Sequence, residues 1–144
     1  MAPEDQVTLK SYLKVKKLHP DAKLPTKATD GSAGWDLYAH DIYWSPSLLC
    51  WVVKLGIAVK IPPGCVGKIY ARSSVPFSLR NFVGIIDRDY RGELELRGTI
   101  TRDFVLGDRV GQLIIMPILD VHLQEVQELS ETERGHGGFG STGK

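Results

Sequence analysis

Cysteine is nearly missing from this chain of 144 residues: Cys50 and Cys65 are its only two. No CxxC pair or other cluster of metal-ligand spacing accompanies them, so a disulfide framework and a zinc module are excluded and reduced thiols are expected. Excess charge of one sign is missing too, since 18 Lys and Arg face 17 Asp and Glu for a formal net charge of +1. That balance offers no basic field for a nucleic-acid polymer. No apolar run reaches the roughly 20 residues that span a bilayer. The opening MAPEDQVTLK carries acids and no apolar stretch of the kind a secretory signal needs, so the expectation is an intracellular protein of cytoplasm or nucleus, away from membranes. Helical periodicity is scarce, and no internal repeat or linker divides the chain. The length suits one domain able to bury a core without a metal or disulfide.

What is present has a period of two. Leu13 and Val15 alternate with Lys14 and Lys16, the apolar residues of Leu55–Ile61 alternate with Gly56, Ala58 and Lys60, and Leu94 and Leu96 alternate with charged neighbours. These are half-buried strand patterns. The solid run QLIIMPI predicts a strand covered on both faces. Turn signals TDGSAG, IPPG, DRDYRGE and VLGD separate the runs. The pattern predicts an all-β sandwich or jelly-roll barrel. FSLRNF is read as a helical turn, and VHLQEVQELSETE as a strand-like start with at most a short helix. A core over residues 1–129, beginning with a loose polar start, would be followed by a glycine-rich tail over 130–144.

That tail holds five glycines and a single apolar side chain, Phe139. From Gly138 it matches most of the phosphate-cradling pattern G-x-x-x-x-G-K-[ST]. A true P-loop lies between a strand and a helix, whose N-terminus holds the phosphates. No convincing strand precedes Gly138, and no hydroxyl residue or helix is read after Lys144. The expectation is therefore a flap whose amides can close on an anion, not a P-loop.

RGHGGFGSTG also resembles the fifth motif of the trimeric dUTP pyrophosphatases. AGWDLYA (33–39), ARSSVPF (71–77), GIIDRDYRGE (84–93) and GDRVGQLI (107–114) resemble the first four, in order and at similar spacing. The likeness runs from about Leu13 to Gly143. It implies an all-β, distorted jelly-roll subunit of a homotrimer with a mobile C-terminal tail. It implies hydrolysis of dUTP to dUMP and pyrophosphate through water attack on the α-phosphorus, which limits uracil in DNA and supplies dUMP for dTTP synthesis.

On this resemblance Asp87 is the base for the attacking water and contacts the sugar 3′-hydroxyl. A positioned base is worth about 10²–10⁴-fold. Read alone, Asp87 and Asp89 would be turn acids. Tyr90 would stack under the deoxyribose and exclude a 2′-hydroxyl, and the backbone of Gly84 and Ile85 would read the uracil edge. Arg72, Ser73 and Ser74 would meet the phosphates, and Gln112 would donate to an α-phosphate oxygen. Arg134 would pair with the γ-phosphate. Phe139 would stack on uracil, and Gly138, Gly140, Ser141 and Thr142 would supply donors as the flap closes. Mg²⁺ is the implied metal, held mainly by substrate phosphates and water, with Asp36 acting on it through water. His19, His40, His122 and His136 receive no role.

The chain departs from the family pattern in places. Ser74 stands where the family usually has glycine, the stretch from Arg72 to Asp87 is short, Pro76 and Phe77 are unusual there, and Trp35 replaces a tyrosine. These departures suit a divergent member, such as a virus carries, and motivate one alternative: a dUTPase-derived interaction protein that has lost catalysis. The dCTP deaminases share the fold, but the Asp-x-Asp-Tyr turn and the fifth motif favour the pyrophosphatase.

Overall fold

The computed structural model describes residues 11–71, 75–80 and 83–140. Among these residues ten strands and no helix form: β1 (Lys14–Lys17), β2 (Trp35–Tyr38), β3 (Asp41–Ser45), β4 (Cys50–Lys54), β5 (Ile57–Lys60), β6 (Cys65–Tyr70), β7 (Phe77–Leu79), β8 (Val83–Ile86), β9 (Glu95–Ile100) and β10 (Arg109–Pro117). Among the described residues no helix is long and apolar enough to cross a membrane. The arrangement is the expected all-β jelly roll. One sheet has the order β2-β10-β6-β8, a second β3-β4-β9-β7, and β1 and β5 form a two-stranded ribbon. Every strand pairing is antiparallel.

Alternation decides which side chains face inward. Leu37, Ile69, Val110 and Leu113 of the first sheet join Val53, Phe77 and Leu96 of the second in one buried cluster, completed by Leu55, Ile57, Val59 and Ile61 from β5 and its flanks. Burying each such side chain is worth about 1.5–3 kcal/mol. At Gly111 an added Cβ would lie 3.2 Å from Leu96 Cδ2, so the two sheets approach closely there.

Three local expectations are corrected. FSLRNF forms no helical turn in its described part: Phe77–Leu79 is strand β7, held to β9. Phe77 is fully buried, and an edge strand lets it fill the core where a helical turn would not. Residues 118–140 contain neither helix nor strand, and Leu119, Val121, Leu123, Val126 and Leu129 are exposed. The last backbone bond tying that segment's start to the body is Ile118 N–H to the Gly64 carbonyl, 2.9 Å. Finally, β10 is covered on one face within the chain. Val110 and Leu113 are fully buried, whereas Gln112 and Ile114 are half-buried and Met116 is exposed. The loose start expected over residues 1–8 lies outside the described residues.

Candidate active site

The C-terminal strand β10 returns between β2 and β6, which brings the first and fourth motifs side by side. In register, Asp36 lies beside Gln112, Gln112 beside Tyr70, and Tyr70 beside Val83 of β8. A bulge makes this row possible. Arg109 pairs with Tyr38 and Gly111 with Leu37, leaving Val110 as the extra residue. Val110 therefore stays in the core while Arg109 lies on the outer face with Asp36 and Gln112. Arg109 Nη1 stands 3.6 Å from Asp36 Oδ2. The Asp36 carboxylate is buried, and a buried carboxylate needs such a partner. The Gln112 side chain lies over Gly34, where an added Cβ would come within 2.6 Å of Oε1. Trp35 faces the opposite side and packs on the core.

One strand beyond Tyr70, β8 forms the edge of its sheet and, among the described residues, pairs with β6 alone. Its free edge leaves a row of backbone donors and acceptors open, the arrangement that can read the edge of a planar base. Beside it is a cleft of about 310 Å³ whose lining includes Gly84, Ile85, Leu79, Leu96, Glu95 and Arg97. Arg97 donates to Glu95 Oε1 at 3.0 Å on its rim.

Asp87 follows β8 directly and is exposed. The turn after it closes through main chain, Tyr90 N–H to the Asp87 carbonyl at 3.1 Å. Among the described residues no hydrogen bond or ion pair occupies the Asp87 carboxylate, so the carboxylate does not cap the turn. Tyr90 folds back over Gly92, where a Cβ would come within 2.5 Å of its hydroxyl oxygen, and that hydroxyl donates to the Glu93 carbonyl at 2.8 Å. The Arg91 guanidinium donates to the carbonyls of Arg88 and Tyr90, at 2.6 and 3.1 Å. The far end is pinned by Leu94 N–H to the Ile57 carbonyl, 2.9 Å, and by the Glu93 side chain, which accepts from Gly56 N–H at 2.9 Å and meets Lys54 Nζ at 3.3 Å. Glu93's hydrogen bond and charge raise the Lys54 pKa above its ordinary value.

In the tail, the Arg134 guanidinium donates to the Gly137 carbonyl while Gly137 N–H returns to the Arg134 carbonyl at 3.2 Å. Phe139 has a positive φ of 50° and Gly140 one of 83°, and the Phe139 ring is fully exposed. Among the described residues, none that lines the cleft comes from the tail. Within one chain the expected residues thus fall into three groups. Asp36 and Gln112 share one row, Gly84, Ile85, Asp87 and Tyr90 follow the β8 edge two strands beyond β10, and Arg134, Gly138, Phe139 and Gly140 stand in the tail. Arg72, Ser73, Ser74, Ser141 and Thr142 lie outside the described residues.

The sequence reading missed Gly34, Arg109, Gly92 and Glu93, although each lies inside a quoted motif. It also missed Lys54, which no motif contains. Among the described residues no group of three or more His, Cys, Asp or Glu side chains could hold a metal.

The dUTPase family model matches residues 20–143. A deoxyuridine 5′-triphosphate nucleotidohydrolase of Paramecium bursaria Chlorella virus 1 is 40% identical over 139 residues, covering 92% of this chain and 99% of the viral protein. One from Syntrophotalea carbinolica is 42% identical over 145 residues, covering 91% and 96%. Among solved structures, the dUTPase of Staphylococcus bacteriophage 80alpha with dUPNHPP is 26% identical, with a TM-score of 0.76, over 92% of this chain and 99% of that one. The row of the first and fourth motifs, the edge strand with its open carboxylate and the glycine-rich tail all occur in a chain that belongs to the dUTPase family.

Proposed function

We propose that this protein hydrolyses dUTP to dUMP and pyrophosphate. The observation that carries the reading is the Asp87 carboxylate, unengaged among the described residues, at the end of an open-edged strand and on the same turn as Tyr90. The 310 Å³ cleft accommodates a pyrimidine against the backbone of Gly84 and Ile85, which reads the uracil edge. The Tyr90 ring, pinned by its hydroxyl, forms the floor of the deoxyribose and leaves no room for a 2′-hydroxyl. The Asp87 carboxylate takes a proton from the water that attacks the α-phosphorus. Gln112 donates to an α-phosphate oxygen, with Arg72, Ser73 and Ser74 also meeting the phosphate chain. Arg134 pairs with the γ-phosphate as the tail closes. Phe139 then covers the uracil, and Gly138, Gly140, Ser141 and Thr142 supply donors.

Mg²⁺, when bound with the substrate, would supply positive charge against the triphosphate. The donor set suits a metal held by phosphates and water, since no protein cluster of ligands occurs among the described residues and the Asp36 carboxylate is already buried against Arg109. Asp36 would act on it through water.

The site is shared in a homotrimer. Two observations support this reading: the described part of the tail lines no part of its own chain's cleft, and the segment before it exposes Leu119, Val121, Leu123 and Leu129, an apolar surface that a neighbouring subunit would cover.

The test is pyrophosphate release from dUTP with Mg²⁺, with UTP, dTTP and dCTP as controls and Asp87→Asn as the variant. Release from dUTP alone, lost in the variant, supports the assignment. No release from folded protein overturns it in favour of an interaction protein without catalysis.

A further inference from the structure

The turn that carries Asp87 and Tyr90 has its own anchor, and that anchor lies outside the substrate contacts. Glu93 is three residues past Tyr90 and its side chain is only 18% exposed. One carboxylate oxygen accepts from Gly56 N–H at 2.9 Å, and the other lies 3.3 Å from Lys54 Nζ. Gly56 occupies a tight bend between β4 and β5. Its φ is +71°, and a Cβ there would come within 2.9 Å of the His40 ring. The bend is buried, so its N–H needs an acceptor, and Glu93 reaches in from the catalytic loop to provide one. The Glu93 carbonyl then accepts the Tyr90 hydroxyl at 2.8 Å, and the Tyr90 amide reaches the Asp87 carbonyl at 3.1 Å. A chain of short contacts therefore runs from the β4–β5 bend through Glu93 and Tyr90 to Asp87.

We propose that Glu93, paired with Lys54 and bonded to Gly56, is a positioning residue that sets the Asp87 carboxylate and the Tyr90 ring against the substrate. The proposal rests on the dUTP reading of the site and adds to it a determinant of both rate and sugar discrimination. Without the Glu93 anchor, Leu94 still fixes the end of the loop through its two backbone bonds to Ile57 and Leu55. The fold persists while residues 87–93 gain freedom. Displacements near 1 Å cost a reaction about 10²-fold.

Three variants test it: Glu93→Ala, Glu93→Gln and Lys54→Met. Each is assayed for pyrophosphate release from dUTP and UTP, for thermal midpoint, and for amide hydrogen exchange across residues 85–94. Glu93→Ala is expected to lower kcat for dUTP by about 10–100-fold with a smaller change in KM, to narrow the preference for dUTP over UTP, and to speed exchange in 85–94 alone. Glu93→Gln keeps an acceptor for Gly56 and is expected to recover most of kcat and of the preference. A folded Glu93→Ala protein with unchanged kcat, preference and exchange overturns the proposal, and so does a kcat loss with exchange accelerated throughout the chain. If Glu93→Ala does not fold, Lys54→Met decides: a lower kcat and narrower preference with faster exchange confined to 85–94 support positioning, and wild-type values overturn it. If the wild type releases no pyrophosphate from dUTP, the activity reading has failed. The exchange arm still decides the anchor, since faster exchange confined to 85–94 upholds it and unchanged exchange refutes it.

Discussion

Replacing Gly34 by alanine puts a methyl group where the Gln112 side chain now lies. The new Cβ would stand 2.6 Å from Gln112 Oε1, 3.2 Å from Ile114 Cγ1 and 3.3 Å from Gln112 Cβ. The severe contact is with the far end of a flexible side chain, so Gln112 can yield by rotating. Oε1 must retreat by roughly 1 Å to reach ordinary van der Waals separation, and an off-rotamer side chain costs about 0.5–1.5 kcal/mol. The fold should absorb this with a fall in thermal midpoint of about 2–6 °C. Activity should suffer more. A hydrogen bond to a charged group is worth about 1.5–3 kcal/mol, and at about 1.4 kcal/mol per tenfold its loss lowers kcat/KM by roughly 10–150-fold. Steady-state pyrophosphate release from dUTP, beside thermal unfolding of the same preparation, makes the comparison. Wild-type kcat/KM in a folded Gly34→Ala protein would show that Gln112 bears no phosphate. Collapse of the midpoint would show that the strain enters the backbone, and the reasoning would fail on its other leg.

Gly98→Ala should be the opposite kind of variant. Its Cβ would fall 1.9 Å from the Ser78 carbonyl oxygen, a backbone atom of the paired strand, so unfolding should come at least about 3 kcal/mol sooner in a urea titration. Tyr90→Phe removes the 2.8 Å bond to the Glu93 carbonyl, at a cost of about 1 kcal/mol. Relative rates on dUTP and UTP should then reveal weaker rejection of the ribonucleotide. Lys54, with its pKa raised by Glu93, contributes stability that is whole below the ordinary lysine pKa of about 10.4 and is lost as pH rises through the raised value. A stability–pH curve should therefore fall more steeply above pH 10 in the wild type than in Lys54→Met. Truncation after Glu133 removes the exposed turn of Arg134, Gly137 and Phe139, and should leave the thermal midpoint within about 2 °C while dUTP turnover falls by tenfold or more.

Much of the strand content was legible because burial on one face writes a period of two into the chain. Leu13–Lys16 became β1 and its approach, and Leu94–Arg97 became the start of β9. The five motifs indicated the family and its chemistry. The phrase QLIIMPI was legible as a strand but not as a one-sided one, because the amino-acid run does not record which neighbour covers which face. FSLRNF misled for a related reason: Phe77 is held by the core it fills and by β9, and no local propensity encodes either.

Short-range order in the chain thus carried the composition of the site: an acid and a tyrosine on one turn, an amide on a strand, an arginine and a phenylalanine among glycines. Contacts between residues far apart in sequence carried its geometry. Gln112 meets Gly34 and Asp36 only because β10 returns between β2 and β6. Arg109 reaches Asp36 only because a bulge sends Val110 inward. Glu93 finds Gly56 and Lys54 only because β9 lies beside β4. Side-chain chemistry is a local property of the sequence, whereas register, bulges and sheet order arise from burying one shared core, which no single segment can specify alone.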